Sequence, residues 1–150
     1  MDGFGSIPML SHLLFAVVVM ALCVIIHAAG VAGALRRLRL PRKVQGFWPS
    51  TRLFIVVAIW VVLLHLIEIS VWAAAYVWTG AIADFQSALY FSAVTYTTTG
   101  YGDIVLSPPW RLDGGIEALT GILMCGWSTG FFFAMVNRFY QEQAQAQARV

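Results

Sequence analysis

Charge is what this chain has least of. Asp, Glu, Lys and Arg make up 11% of its 150 residues, against roughly 25% in a soluble domain. A solvated globular surface is excluded by that shortage, and the 60% hydrophobic content and mean hydropathy of +0.79 agree. Cysteine is as scarce. Cys23 and Cys125 each stand alone inside an apolar run, which excludes a disulfide framework and a cysteine metal site, and both are expected as small buried hydrophobes. No phosphate-binding loop, no nucleophile beside its base and no metal-ligand spacing is visible. The chain is therefore expected to be no enzyme, with no cofactor and no small-molecule substrate.

The charges that do exist are unevenly placed. Arg36, Arg37, Arg39, Arg42, Lys43 and Arg52 account for six of the nine basic residues. Such a cluster can bind nucleic acid, but beside a spanning helix it sets topology, so no nucleic-acid partner is expected. The loop can also touch anionic membrane lipids, at about 1 kcal/mol per basic residue near the surface.

What fills the remaining sequence is long apolar runs. Leu13 to Leu35 is interrupted only by His27; at ~1.5 Å per residue it is long enough to span a tilted path across a bilayer. A cleaved signal peptide would need basic residues before the run, whereas here they follow it. Residues 1–35 are thus expected as an outside N-terminus and a retained helix, with 36–52 a cytoplasmic basic loop. A second run, Leu53 to Trp78, returns outward and ends in Trp72, Tyr76 and Trp78, the residue types of an interfacial aromatic belt. A third, Gly115 to Val136, crosses inward again, and residues 140–150 form a short polar cytoplasmic tail.

Between the second and third runs lies an apolar segment too short to cross, FQSALYFSAVTY, preceded by Asp84 as a helix N-cap. TTTGYGD, residues 97–103, follows at once. Irregular backbone at membrane depth is tolerated only inside protein or along a watery path. Gly100 and Gly102 can take φ > 0, and alternating them with ordinary residues turns successive carbonyls to one side. Such a strip, repeated around an axis, offers oxygen ligands to a bare monovalent cation. Asp103 at the outer mouth either attracts cations or anchors the loop.

The segment ALYFSAVTYTTTGYGD, residues 88–103, resembles the pore helix and selectivity filter of tetrameric potassium channels. The flanking helices extend the resemblance over residues 53–139. It implies an all-α membrane protein with three spanning helices and a re-entrant pore helix, assembled as a four-fold homotetramer. The pore domain would comprise an outer helix 53–78, a pore helix 84–97, a filter 98–103 and an inner helix 114–137. It further implies passive K+ conduction across the cell membrane, with Thr98, Thr99, Gly100 and Tyr101 giving carbonyls to K+ and Gly102 permitting the turn. A weakly selective cation channel and a non-conducting regulatory or scaffold subunit are the alternatives.

Departures from the family pattern single out further residues. Thr99 stands where valine is common, Tyr90 and Phe91 where a tryptophan pair is usual, and Val94 where some relatives carry glutamate. Tyr90 is then the candidate brace for Asp103, and Thr95 the candidate partner of the Tyr101 hydroxyl. On the third run, Gly126 and Gly130 are candidate gating hinges, in a small-residue row with Ala134. Phe131, Phe132 and Phe133 are candidates for a hydrophobic constriction. His65 and Glu68 share a helix face at apolar depth. They form either a pH-sensitive control or a buried polar pair that reaches His27 or a threonine. Glu117 either complements a helix start or forms a carboxylate ring near the outer vestibule. The first helix lacks the arginine spacing of a voltage sensor and is expected to brace the periphery.

Overall fold

The computed structural model describes residues 6–37 and 47–147, and all regular structure among them is helical. Helix α1 covers Ser6–Arg37, α2 Phe47–Trp78, α3 Phe85–Tyr96 and α4 Arg111–Gln147, with a 3₁₀ turn at Pro108–Trp110 before α4. Three stretches are long and apolar enough to cross a membrane: Leu10–Arg37, Trp48–Trp78 and Pro108–Gln141. Arg39, Arg42 and Lys43 of the basic cluster lie outside the described residues.

Every long helix outruns its apolar stretch. α1 starts at Ser6 and α2 at Phe47, because backbone hydrogen bonding needs no apolar side chains. Pro8 and Pro49 fall within the first turns, whose N–H groups have no intrahelical acceptor. α4 begins at Arg111 and runs to Gln147, so most of the expected tail, 140–150, is helical. Its run of Gln, Glu and Ala consists of good helix formers, which carries the helix past the apolar boundary at 137.

Burial is inverted relative to a soluble protein. Many exposed positions on α1 and α2 are apolar, among them Val18, Ile25, Ile59 and Val62. The fully buried residues include His27, Glu68, Ser92, Asp113, Glu117 and Thr120. On α4 the buried residues Asp113, Glu117, Thr120, Met124, Ser128, Met135 and Phe139 recur at spacings of three, four and seven, one face of a helix. Polar groups at bilayer depth must find protein partners, so that face turns inward. Cys23 is buried as expected, whereas Cys125 is exposed, because it lies off the α4 face that the other helices cover.

α1 packs against both α2 and α4. Cys23 lies in the core with Trp72 and Tyr76 of α2, Phe91 and Tyr96 of α3 and Met124 of α4. The indole of Trp60 donates to the Gly30 carbonyl at 3.1 Å. α3 runs antiparallel to α2: the Phe91 ring lies 5.3 Å from Tyr76 and the Tyr96 ring 5.9 Å from His65. Its last residue therefore sits beside the middle of α2.

Candidate functional site

The loop at residues 97–103 begins with how α3 is made. Asp84 caps it, its Oδ1 accepting the Ser87 N–H at 2.8 Å, and these backbone donors hold the Asp84 carboxyl below its ordinary range. At the other end the chain folds back on the last carbonyls of the helix. The N–H groups of Thr99 and Gly100 both donate to Val94 C=O, at 2.8 and 3.1 Å, and that of Thr98 to Thr95 C=O at 2.9 Å. The Thr97 hydroxyl donates to Ala93 C=O at 2.7 Å and lies 3.0 Å from the Thr99 hydroxyl.

These bonds engage the N–H groups of Thr97 to Gly100 and leave the loop's acceptors open. Among the described residues, no hydrogen bond ends on the carbonyls of Thr98 to Gly102, and residues 97–103 are all exposed on the single chain. Left-handed backbone recurs at every second residue: φ is +58° at Thr98, +52° at Gly100 and +77° at Gly102. The glycines take this conformation freely, but a β-branched threonine does so at a cost of order 1–3 kcal/mol. No local sequence pattern marks the strain at Thr98. It lies next to the bonds made by Thr97 and Thr99, which hold it there.

Asp103 returns the loop to α3. The Tyr90 hydroxyl donates to its Oδ2 at 2.7 Å, and its Oδ1 accepts the Ile104 N–H at 3.1 Å. The Tyr90 bond holds the Asp103 carboxyl below its usual range and raises the Tyr90 phenol. The expected bond between Tyr101 and Thr95 is not formed within the chain. Tyr101 is 72% exposed, since its loop turns away from α3, and Thr95 instead accepts the Thr98 N–H through its backbone.

Behind the loop lie two buried polar networks. In one, Glu117 accepts the Tyr76 hydroxyl at 2.7 Å and also the Ser92 hydroxyl, which in addition reaches Ile69 C=O at 2.8 Å. Glu117 is therefore no vestibule residue and no first-turn partner of the helix dipole: α4 starts six residues before it and turns it under α3. In the other, His27 Nδ1 stands 2.8 Å from Glu68 Oε1 and His65 Nδ1 3.0 Å from the Tyr96 hydroxyl, which donates to Glu68 Oε2. Ser128 Oγ lies 3.1 Å from His27 Nε2 and 3.2 Å from His65 Nε2. Tyr76, expected in an interfacial aromatic belt, is instead fully buried; for Ser92, Tyr96 and Ser128 the only signal in the sequence is a polar atom inside an apolar helix.

The candidate gate residues separate. A Cβ on Gly126 or Gly130 would meet nothing within 4 Å, so their row packs on no helix of the same chain. The glycine in close contact is Gly121, where a Cβ would overlap the Tyr96 carbonyl. The Phe132 ring packs 6.0 Å from Phe54, while Phe133 is 65% exposed.

Comparison with known proteins bears on the same segment. A family model described as an ion channel matches residues 54–138, more than half of the chain. The potassium voltage-gated channel protein shk-1 of Caenorhabditis elegans is 34% identical over 61 residues, which is 40% of this chain and 11% of that protein. The chain thus spans about a tenth of the length of that curated relative. No solved structure matches. With its spanning-length helices and a family match that covers α3, the loop and most of α2 and α4, the chain belongs to the ion-channel family and is a membrane protein.

Proposed function

We propose that four copies of this chain surround a potassium-selective pore, with α3 a re-entrant pore helix and residues 98–102 its filter. The observation that carries this reading is the open strip of carbonyls. Their residues' N–H groups are tied to α3 at Thr98, Thr99 and Gly100, and alternate positions are left-handed. One strip contacts a cation from one side only; four replace its hydration shell. Tyr101, exposed on the single chain, then meets a neighbouring copy. The C-terminal end of α3, with about half a negative charge, faces the ion path. The similarity to a potassium channel over 61 residues supports K+ as the ion.

Four-fold assembly also gives the uncovered face of α4 a role. Gly126 and Gly130 lie there as hinge candidates. Phe133, free of the contact that holds Phe132, is the strongest constriction candidate of the phenylalanine trio. By the positive-inside rule, the basic residues between 36 and 52 support an N-terminus outside the cell membrane and a C-terminus on its cytoplasmic side.

The test is reversal potential in mixed K+ and Na+ across bilayers that hold only the purified chain. A shift toward the K+ equilibrium potential is expected. A reversal near zero makes the pore a weakly selective cation channel. No flux from a correctly inserted tetramer makes the chain a non-conducting subunit.

A further inference from the structure

We propose that His27, His65 and Glu68 form a binding site for one divalent first-row transition ion, of which zinc is the representative. The three residues come from two helices that the sequence separates by a loop. Each offers a ligand atom, and these atoms all lie within 4.8 Å of one another. His27 and Glu68 are fully buried, and the His65 side chain is 17% exposed, which leaves the cluster an edge through which an ion enters.

The geometry is close to what an ion needs. Ligands held tetrahedrally at about 2.0–2.1 Å from zinc stand roughly 3.3–3.4 Å from each other. His27 Nδ1 and Glu68 Oε1 are 2.8 Å apart, and His65 Nδ1 and Glu68 Oε2 are 3.7 Å apart. The first of these pairs involves the oxygen that Tyr96 leaves free and needs to open by about half an ångström, while the three ligand atoms, all within 4.8 Å of one another, close on the ion by side-chain rotation. Three protein ligands leave a fourth position for water. Two imidazoles and one carboxylate suit zinc and its first-row neighbours, whereas calcium and magnesium prefer oxygen alone.

The surroundings are arranged as an outer shell. Histidine ligands ordinarily donate their second ring N–H to an oxygen acceptor, which fixes tautomer and orientation. Here both Nε2 atoms point at one oxygen, Ser128 Oγ, which has two lone pairs. The Tyr96 hydroxyl holds Glu68 Oε2 and so leaves Oε1 to the ion.

A donor count is satisfied by the loaded form. Without an ion, His27 Nδ1–H donates to Glu68, Tyr96 O–H donates to Glu68, and His65 Nδ1–H donates to Tyr96. With both rings neutral, each Nε2 is then an acceptor, yet Ser128 has a single O–H to offer the two of them. An ion on the Nδ1 side moves both protons to Nε2, and the mismatch disappears. No other histidine competes. The chain has three, and the third, His12, lies against Trp110 and Asp113.

The test uses the full chain in detergent, purified without a histidine tag and stripped with chelator, titrated with Zn2+ by calorimetry. One ion per chain is expected. His27→Gln and His65→Gln should each weaken binding by more than the roughly 10–100-fold that loss of an outer-shell partner costs, Ser128→Ala should fall within that range, and His12→Gln should leave it unchanged. Size-exclusion profile and helical content check that each variant is folded. X-ray absorption of the zinc-loaded wild type reads the ligands directly and needs no variant. Two imidazole nitrogens in the first shell support the site. No saturable binding, a first shell without imidazole, or undiminished affinity in folded His27→Gln overturns it.

Discussion

Residues 97–103 and the interior beneath them are both polar, and they treat their polar atoms in opposite ways. In the interior, the acids and histidines at the centre of the two networks are fully engaged: Glu117 takes hydroxyls from Tyr76 and Ser92, and Glu68 takes one from Tyr96 and faces both histidines. In the loop, the N–H groups of Thr97 to Gly100 and the side chains of Thr97 and Asp103 are bonded back to α3 while the carbonyls of Thr98 to Gly102 stay open and exposed. An acceptor at apolar depth with no partner is costly. In the proposed re-entrant placement the loop therefore holds its acceptors ready for a cation that is not part of this chain.

The sharpest way to break this contrast is at the backbone of the loop. Gly102→Ala puts a side chain on a residue at φ +77°, where only glycine sits without strain. Cation flux through reconstituted channels is expected to fall to background while the helical content stays as it was. Retained flux would separate conduction from the alternating backbone.

A smaller effect is expected from the interior. Glu117→Leu removes the acceptor of the buried Tyr76 hydroxyl, whereas Ser92 keeps Ile69 C=O. One orphaned hydroxyl costs ~1–3 kcal/mol, so thermal stability in detergent should drop by that amount. The double variant Glu117→Leu, Tyr76→Phe should recover part of it. Equal loss in both would mean that the bond contributes nothing.

The smallest effect belongs to the brace between the regions. Tyr90→Phe removes the hydroxyl that holds Asp103, and sustained current should decay faster with ion selectivity retained. Because this bond lowers the Asp103 pKa, its support is complete above the ordinary carboxylate pKa and fades as pH falls through the lowered value. Wild-type current should therefore lose stability on the outer side only in the acid range below that of a free carboxylate. In Tyr90→Phe, the same acid step should change little. An identical acid response in both proteins would remove Asp103 from the brace.

Parts of this arrangement were open to reading from the chain itself. The apolar runs announce three spanning helices because transfer into lipid depends on composition, and Asp84 announces the start of α3 because free N–H groups need an acceptor. The proximity of Tyr90 and Asp103 could be inferred because they are thirteen residues apart across one short helix and one loop. Glu117 was harder. Its sequence position near a helix start suggested a mouth residue, and only the earlier start of α4 turns it inward. Gly121 drew no notice beside Gly126 and Gly130, yet it is the one pressed against Tyr96, since which glycine meets a neighbour depends on where two helices touch.

The sequence alone determined the membrane class, the helix count and the chemistry of the TTTGYGD strip, because hydropathy, capping and glycine conformation are local properties. Only the tertiary structure decided that His27 would meet Glu68 and His65 across 41 and 38 positions, and that Ser128 would close the group from a third helix. Those meetings follow from how three helices rotate so that these buried polar residues face one another, and no window along the chain contains that information.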